Sequence, residues 1–309
     1  MARSSVAIIG GGIMGGDIAT SFATAGWDAH VMSPSAKTRD ALPGRVQRGL
    51  ERLGAEAARA AAVKAHASLG ELPWPQIELV IEAVTEDLAL KHRVFAELEA
   101  LARPDIPLAT NTSGFQVTEV GKHLKTRERV CGAHYFMPAH LVPLVEVVCA
   151  EFTDPRVAER VEAILKQAGK VPVMVKKDIP GFLANRMQHA LLREAMWLLD
   201  NGIATPEGID AAVRYGFGFR FIACGPLMQK EMSGWDTNFY AGSTIYPSLS
   251  NAFAPPKLLK DMVERGAVGM KTKQGMWSWT DEAIAREKSR YEKALQAGFR
   301  ILQSEEKPG

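Results

Sequence analysis

The chain has 309 residues, 47% of them apolar and 23% charged, with a formal net charge of +2. That balance excludes a disordered chain, which lacks the apolar residues for a core. It also argues against a dedicated nucleic-acid binder, which carries a strongly basic face. The length suits about two domains, each burying its own core. The three cysteines (Cys131, Cys149 and Cys224) are too scattered for a disulfide framework. No Cys-x-x-Cys or His-Glu-x-x-His pattern is present, so no metal site is expected. No basic-then-apolar leader opens the sequence, and no apolar run reaches the roughly eighteen residues of a membrane helix. A cytoplasmic protein with no membrane or nucleic-acid partner is the expectation.

Val6 to Ile9 is a β-branched apolar run, the pattern of a strand buried on both faces. Residues 13 to 25 follow as a helix that stops at Gly26, and Asp28 to Met32 is a second strand. Ile77 to Ile81 is another apolar run, after which Leu90, Val94, Leu98 and Leu101 recur at helical spacing. Residues 107–110, 129–136, 144–149 and 171–175 are further strand candidates. Before the last of these, Asp154-Pro155 opens a helix, with Asp as N-cap and Pro at the first helical position. Strands alternating with helices predict an α/β domain of Rossmann type, a mostly parallel, doubly wound sheet.

The pattern changes near residue 178. Residues 182–200 read as one long helix stopped by Asn201-Gly202, and Thr205-Pro206-Glu207 opens another that ends at Gly216. Residues 281–303 form an amphipathic helix with Ile284, Tyr291, Leu295, Phe299 and Leu302 on one side. The sequence thus predicts a dinucleotide-binding domain over residues 1–178 and an all-α domain over residues 179–309.

Gly10-Gly11-Gly12-Ile13-Met14-Gly15 fits G-x-G-x-x-G between a strand and a helix. Gly10 permits the tight turn, and Gly12 lets backbone approach a pyrophosphate. The helix N-terminus at Ile13 and Met14 stabilises its charge, and Gly15 allows close helix–strand packing. The second strand of such a unit ordinarily ends in an acidic residue that binds the ribose hydroxyls of NAD. Ser33 stands there instead, with Ser35, Lys37 and Arg39 close behind. A serine does not repel a 2′-phosphate, so NAD is expected without excluding NADP. The plainer alternative leaves the basic residues facing solvent on the following helix.

Seven ordered segments resemble the 3-hydroxyacyl-CoA dehydrogenase family over nearly the whole chain. Glu82-Ala83-Val84-Thr85-Glu86-Asp87 is similar to E-A-[VI]-x-E-[ND], with Lys91 at the family's spacing after Glu86. Asn111-Thr112-Ser113 resembles N-T-S, and His134-Tyr135-Phe136-Met137-Pro138 resembles H-[FY]-F-N-P, with Glu146 at the family's spacing. Asp178-Ile179-Pro180-Gly181-Phe182-Leu183-Ala184-Asn185-Arg186 is similar to D-x-P-G-F-[IV]-x-N-R, and Gly269 to Gly275 to G-x-K-T-x-x-G. The resemblance implies a Rossmann domain, a helical substrate and dimerisation domain, a homodimer and dehydrogenase chemistry. It also implies cofactor contacts at Glu86 and Lys91.

Oxidising an alcohol removes a hydride to a nicotinamide and a proton to a base, and histidine titrates in the right range for that base. His134 is the candidate. Glu146 would fix its tautomer and stabilise the imidazolium, though an acid in an apolar strand is also read as a structural ion pair. Ser113 and Asn185 are candidates to hold the substrate oxygen. As alternatives, Ser113 terminates a strand and Asn185 caps a helix. Cys131 offers a rival thiohemiacetal route, but odd spacing along one strand turns it away from His134.

Two features depart from the fatty-acyl enzymes. Met137 replaces the asparagine of H-[FY]-F-N-P, an apolar thioether where an amide is usual. Gly216 to Pro226, around Arg220, resembles the G-x-G-x-R-[YW]-x-x-x-G-P of the branch that handles small polar hydroxy acids, such as gulonate and carnitine dehydrogenases and λ-crystallin. An arginine binds a carboxylate through paired hydrogen bonds, so Arg220 is the candidate for a substrate carboxylate, against a helix-end cation or salt bridge. The expected substrate is a small carboxylate-bearing alcohol or hydrated aldehyde, aromatic if it stacks on Met137. The alternatives are a 3-hydroxyacyl-CoA or carnitine- or gulonate-type substrate, and a non-catalytic cofactor-binding protein like λ-crystallin.

Overall fold

The computed structural model describes residues 4–305. The chain divides into two compact units, the first ending at Ala184 and the second starting at Asn185. In the first unit the strands are β1 (Ser5–Ile9), β2 (Asp28–Met32), β3 (Val63–His66), β4 (Ile77–Glu82), β5 (Leu108–Thr110), β6 (Val130–Tyr135), β7 (Leu144–Val148) and β8 (Val171–Val175). The helices between them are α1 (Ile13–Thr24), α2 (Ala36–Leu53), α3 (Leu88–Leu101), α4 (Val117–Gly121) and α5 (Pro155–Gln167).

The strands form one sheet in the order β3-β2-β1-β4-β5-β6-β7-β8. Every neighbouring pair is parallel except β6 and β7, which run antiparallel. Side chains of α1, α2 and α5 join the apolar cluster on one face, including Ile18, Phe22, Val46, Leu50 and Leu165. Side chains of α3 and α4 join the other, including Phe95, Leu98, Val117 and Val120. Both faces are therefore covered, which is why the strands read as near-continuous apolar runs. Strand order reverses between β1 and β4, and the carboxyl ends of strands at such a switch point form the crevice where α/β sheets bind ligands.

The second unit is helical, as expected. Its helices are α6 (Ala184–Asp200, beginning at the unit boundary), α7 (Pro206–Ala212), α8 (Gly218–Arg220), α9 (Pro226–Ser233), α10 (Trp235–Ile245), α11 (Lys257–Glu264) and α12 (Asp281–Ser304). Two expected helix limits are corrected. The long helix starts at Ala184 rather than at 182, because Gly181 and Phe182 take left-handed φ angles of 78° and 47°. The helix expected to run to Gly216 ends at Ala212 and gives way to a π-turn, where Gly216 leaves helical dihedrals (φ −98°, ψ −115°). No helix of the described residues is long and apolar enough to cross a membrane.

The edge of the sheet carries a histidine pair, one member buried and the other half-buried. His30 Nδ1 on β2 lies 3.0 Å from His66 Nε2 on β3, and His30 is only 4% exposed. Burial lowers the pKa of His30 from 6.5 to about 4, reinforced by His66 and Lys64 against the opposing pull of Asp28. Burial likewise lowers that of His66. An unfolded histidine takes up its proton near 6.5, so between 6.5 and about 4 the unfolded chain holds more protons than the folded one. Stability therefore falls as pH drops through that window. Replacing His30 with Asn is expected to flatten this part of the stability–pH profile, read by urea unfolding at a series of pH values. An unchanged slope would show that the pair does not titrate this way.

Candidate active site

β1 delivers the chain into the glycine turn at the switch point. Gly10 has φ 114°, and a Cβ there would lie 2.4 Å from the Ala83 carbonyl oxygen. A Cβ on Gly15 would lie 1.8 Å from the Gly10 carbonyl oxygen, so only glycine lets α1 start this close to β1. The N-cap of α1 is Gly12, with no side chain capping the helix and open space beside it. The first-turn N–H groups at Ile13 and Met14 are thus left for an external acceptor, the arrangement that binds a pyrophosphate. This cradle fits a dinucleotide. Ser33, 6% exposed, follows β2, and its N–H donates to the His66 carbonyl. Ser35 is the N-cap of α2. Arg39 folds back to donate to the carbonyls of Ser33 (2.7 Å) and Pro34 (2.9 Å). Lys37 is exposed.

β4 ends on a buried carboxylate. Glu82 is fully buried; its Oε2 accepts the Thr110 hydroxyl (2.7 Å) and its Oε1 accepts the Val84 N–H (2.7 Å). Lys91 Nζ, on α3, lies 2.9 and 3.0 Å from the two Glu82 oxygens and 3.1 Å from Glu86 Oε2. An ammonium has three donors, and these contacts use all of them. Glu86 in turn gathers the turn after β5: its Oε1 accepts the Thr112 hydroxyl (2.5 Å) and the N–H groups of Ser113 (3.1 Å) and Gly114 (2.7 Å). Burial alone would raise the Glu86 pKa, but Thr112, Gly114 and Lys91 outweigh it and hold the carboxyl below its ordinary value. Of the residues expected at the cofactor, Glu86 is partly exposed while Lys91 is 1% exposed and occupied by carboxylates. Ser113 is exposed at the tip of the turn.

The antiparallel pairing of β6 and β7 sets His134 directly opposite Glu146. His134 Nδ1 lies 2.7 Å from Glu146 Oε2, with the two side chains 4% and 1% exposed. The other oxygen of Glu146 accepts the N–H groups of Leu183 (3.0 Å) and Ala184 (2.8 Å). Burial pushes the Glu146 pKa up, but the bonds from His134, Ala184 and Leu183 outweigh it and hold the carboxyl below its ordinary value. An ionised carboxylate only accepts hydrogen bonds, so Nδ1 carries a proton, and in the neutral ring Nε2 is then the acceptor. The ring is flanked by Phe136 and Phe182, at centroid distances of 4.5 and 5.4 Å. The turn bringing residues 183 and 184 to Glu146 is pinned by Asp178, whose carboxylate accepts the Thr118 N–H (2.7 Å) and whose carbonyl accepts from Gln116 (2.8 Å).

Met137, 62% exposed, sits on the loop after β6, where the Met137–Pro138 bond is cis. Cys131 is buried within the opposite apolar cluster, and burial raises its thiol pKa far above the ordinary value, so the thiohemiacetal route has no support in the fold. In the second unit, Asn185 is half-buried in the first turn of α6. Arg220 is exposed at the end of α8, where the Gln229 amide oxygen accepts from its Nε (2.8 Å) and Nη1 (3.2 Å). The sequence reading missed Glu82 and the N–H groups of residues 183 and 184. Glu82 opens the segment Glu82 to Asp87, yet nothing in spacing marks it as the acid that holds Lys91. The two N–H groups carry no side-chain signal at all.

Comparison with known proteins agrees with this architecture. The model of the NAD binding domain of 3-hydroxyacyl-CoA dehydrogenase matches residues 5–179, and that of the C-terminal domain of the same family matches residues 181–279. The chain is 31% identical to the 5-formyl-3-hydroxy-2-methylpyridine 4-carboxylate 5-dehydrogenase of Mesorhizobium japonicum, covering 98% of this chain and 99% of that one. It is 31% identical to the L-carnitine dehydrogenase of Oceanobacillus iheyensis, over 86% of this chain and 89% of the other. A crystal structure of the pyridine-carboxylate 5-dehydrogenase, described as an NAD+ dependent dismutase, superposes with a TM-score of 0.90 at 29% identity, covering 99% of this chain and 100% of that one. The chain belongs to the 3-hydroxyacyl-CoA dehydrogenase family and is an NAD-dependent oxidoreductase.

Proposed function

We propose that the enzyme oxidises a small carboxylate-bearing alcohol or hydrated aldehyde, with 5-formyl-3-hydroxy-2-methylpyridine 4-carboxylate as the leading candidate. The full-length similarity to the enzyme named for that compound supports the substrate. The observation that carries the chemistry is the His134–Glu146 pair at 2.7 Å. NAD, when bound, supplies the hydride acceptor. His134 Nε2 takes the proton from the substrate hydroxyl, while Nδ1–H remains on Glu146, whose charge stabilises the imidazolium. A gem-diol offers the same O–H and C–H as an alcohol, so one base serves both substrates. Ser113 and Asn185 hold the substrate oxygen. Glu86 and Lys91 hold the cofactor side of the site, Lys91 indirectly through Glu86 and the turn at 112–114.

Met137 removes the amide that a β-hydroxyacyl thioester enzyme carries at this place and leaves an apolar surface for a small planar substrate. Arg220 binds the substrate carboxylate through its guanidinium fork. The helical unit exposes a run of large apolar side chains, with Met232, Phe239, Tyr240 and Tyr246 each about 70% exposed. Patches of this kind mark protein contacts, and a homodimer through this unit is part of the proposal.

Turnover is to be followed by NADH absorbance across a panel of small hydroxy acids and carboxylated aldehydes. The pyridine aldehyde is expected to give the highest kcat/KM, and a preference for carnitine or an acyl-CoA would overturn the substrate. Replacing His134 with Ala is expected to lower kcat by about 10²–10⁴-fold, with NADH affinity retained. Full activity in that variant would remove the base. Replacing Arg220 with Met is expected to raise KM for carboxylated substrates by about 10–100-fold, the loss of one charged hydrogen-bonded contact, and to spare uncarboxylated analogues. Sedimentation equilibrium is expected to give twice the chain mass; a monomer at micromolar concentration would refute the dimer.

A further inference from the structure

The glycine turn has a partner that lies outside its motif. Arg45, on α2, sends Nη1 to within 2.7 Å of the Gly11 carbonyl oxygen and 2.7 Å of the Gly12 carbonyl oxygen. Its stem crosses α1 over Gly16: a Cβ on that residue would lie 2.5 Å from Arg45 Cδ. Gly16 is not part of G-x-G-x-x-G, and the dinucleotide turn itself places no demand on it. Its missing side chain is what opens the route for the arginine. Among the described residues no carboxylate lies within ion-pair distance of Arg45, so the two carbonyls are what its guanidinium engages.

The consequence follows from the planarity of the peptide bond. In a trans peptide the C=O and the next N–H point in opposite directions. Holding the Gly11 and Gly12 oxygens on the α2 side turns the N–H groups of Gly12 and Ile13 to the other side, toward the open space before α1. The Gly12 carbonyl also accepts the Gly16 N–H (3.0 Å), the first bond of α1, so the plane that depends on the arginine is Gly11–Gly12, which two glycines leave unusually free to rotate, a freedom that ligand binding would have to remove. A cation on the oxygen also polarises the peptide and strengthens its N–H as a donor, because hydrogen bonds in a chain reinforce one another.

We propose that Arg45 is a positioning residue for the cofactor: it clamps the Gly11 and Gly12 carbonyls and so presents polarised N–H groups to the dinucleotide's pyrophosphate. The proposal rests on the NAD-binding role of this unit and is independent of the substrate. The test is equilibrium binding of NADH by fluorescence, ADP-ribose by displacement of NADH, and adenosine by calorimetry. Replacing Arg45 with Met keeps a stem over Gly16 and removes the guanidinium. It is expected to weaken NADH and ADP-ribose about tenfold and to leave adenosine, which has no phosphate, unchanged. Replacing Arg45 with Lys, which retains a cation, is expected to fall between Met and the natural residue. Replacing Gly16 with Ala, which displaces the arginine from α1, is expected to reproduce the Met result. Equal losses for all three ligands would mean that Arg45 only supports the fold, and an unchanged NADH affinity would also overturn the proposal.

Discussion

Glu146 is a carboxylate in the middle of an apolar strand, 1% exposed, and much of the site follows from satisfying it. An isolated buried charge costs several kcal/mol. Here one oxygen takes the imidazole N–H and the other takes two backbone N–H groups. The two backbone partners carry no formal charge, so the negative charge of the carboxylate faces the imidazole of His134. A histidine in that position gains most when it becomes protonated. The cost of burying the acid is thereby offset by hydrogen bonds, and its charge is held ready for the protonated imidazole.

The same requirement shapes the end of the first unit. Gly181 and Phe182 adopt left-handed φ angles, and the non-glycine one is an uncommon conformation for an aromatic residue. That bend is what aims the N–H groups of Leu183 and Ala184 at Glu146. Phe182, 2% exposed, meets the His134 ring and closes the apolar wall beside it. The signature Asp178 to Arg186 is therefore more than a linker: its first half belongs physically to the sheet. This is why the chain divides after Ala184, a little beyond the change of sequence pattern near residue 178.

The central strands and their helices are legible in the sequence because each strand is buried on both faces and each crossover has a clear start. Asp154, for example, caps α5 through its side chain ahead of Pro155. The edge strand β3 is not legible: Val-Lys-Ala-His is short, partly exposed and has no apolar run. The antiparallel turn of β7 is silent too, since a buried strand reads alike in either direction, yet it sets His134 opposite Glu146. Within the site, spacing and resemblance picked out His134, Glu146, Glu86 and Lys91. They did not reveal that Lys91 spends its donors on Glu82 and Glu86, because burial of a side chain leaves no mark in a single sequence. Nor did they reveal that Arg39, close behind the ribose position at Ser33, donates to the carbonyls of Ser33 and Pro34.

The proposed reaction requires His134 and the helix after the glycine turn to keep a fixed relation, and a buried polar network provides it. Asp17 on α1 accepts the N–H of Ala139 (3.2 Å) from the loop after β6. The Nδ1 of His140 lies 3.1 Å from the same carboxylate, without hydrogen-bond alignment. Lys170, just before β8, donates to the carbonyls of Ala139 (2.5 Å) and Val142 (3.1 Å). Burial lowers the Lys170 pKa to about 8 against the pull of Asp17. Ser21, a turn along from Asp17, donates to Ala139 as well (3.4 Å). The loop carrying Met137 is thus tied to the helix that follows the glycine turn. A shift of α1 would move the residues that follow His134 with it, because breaking the link would strand the buried carboxylate of Asp17. In the proposed reaction, hydride and proton leave the substrate toward two different partners. A single rigid body carrying both is what keeps their separation constant.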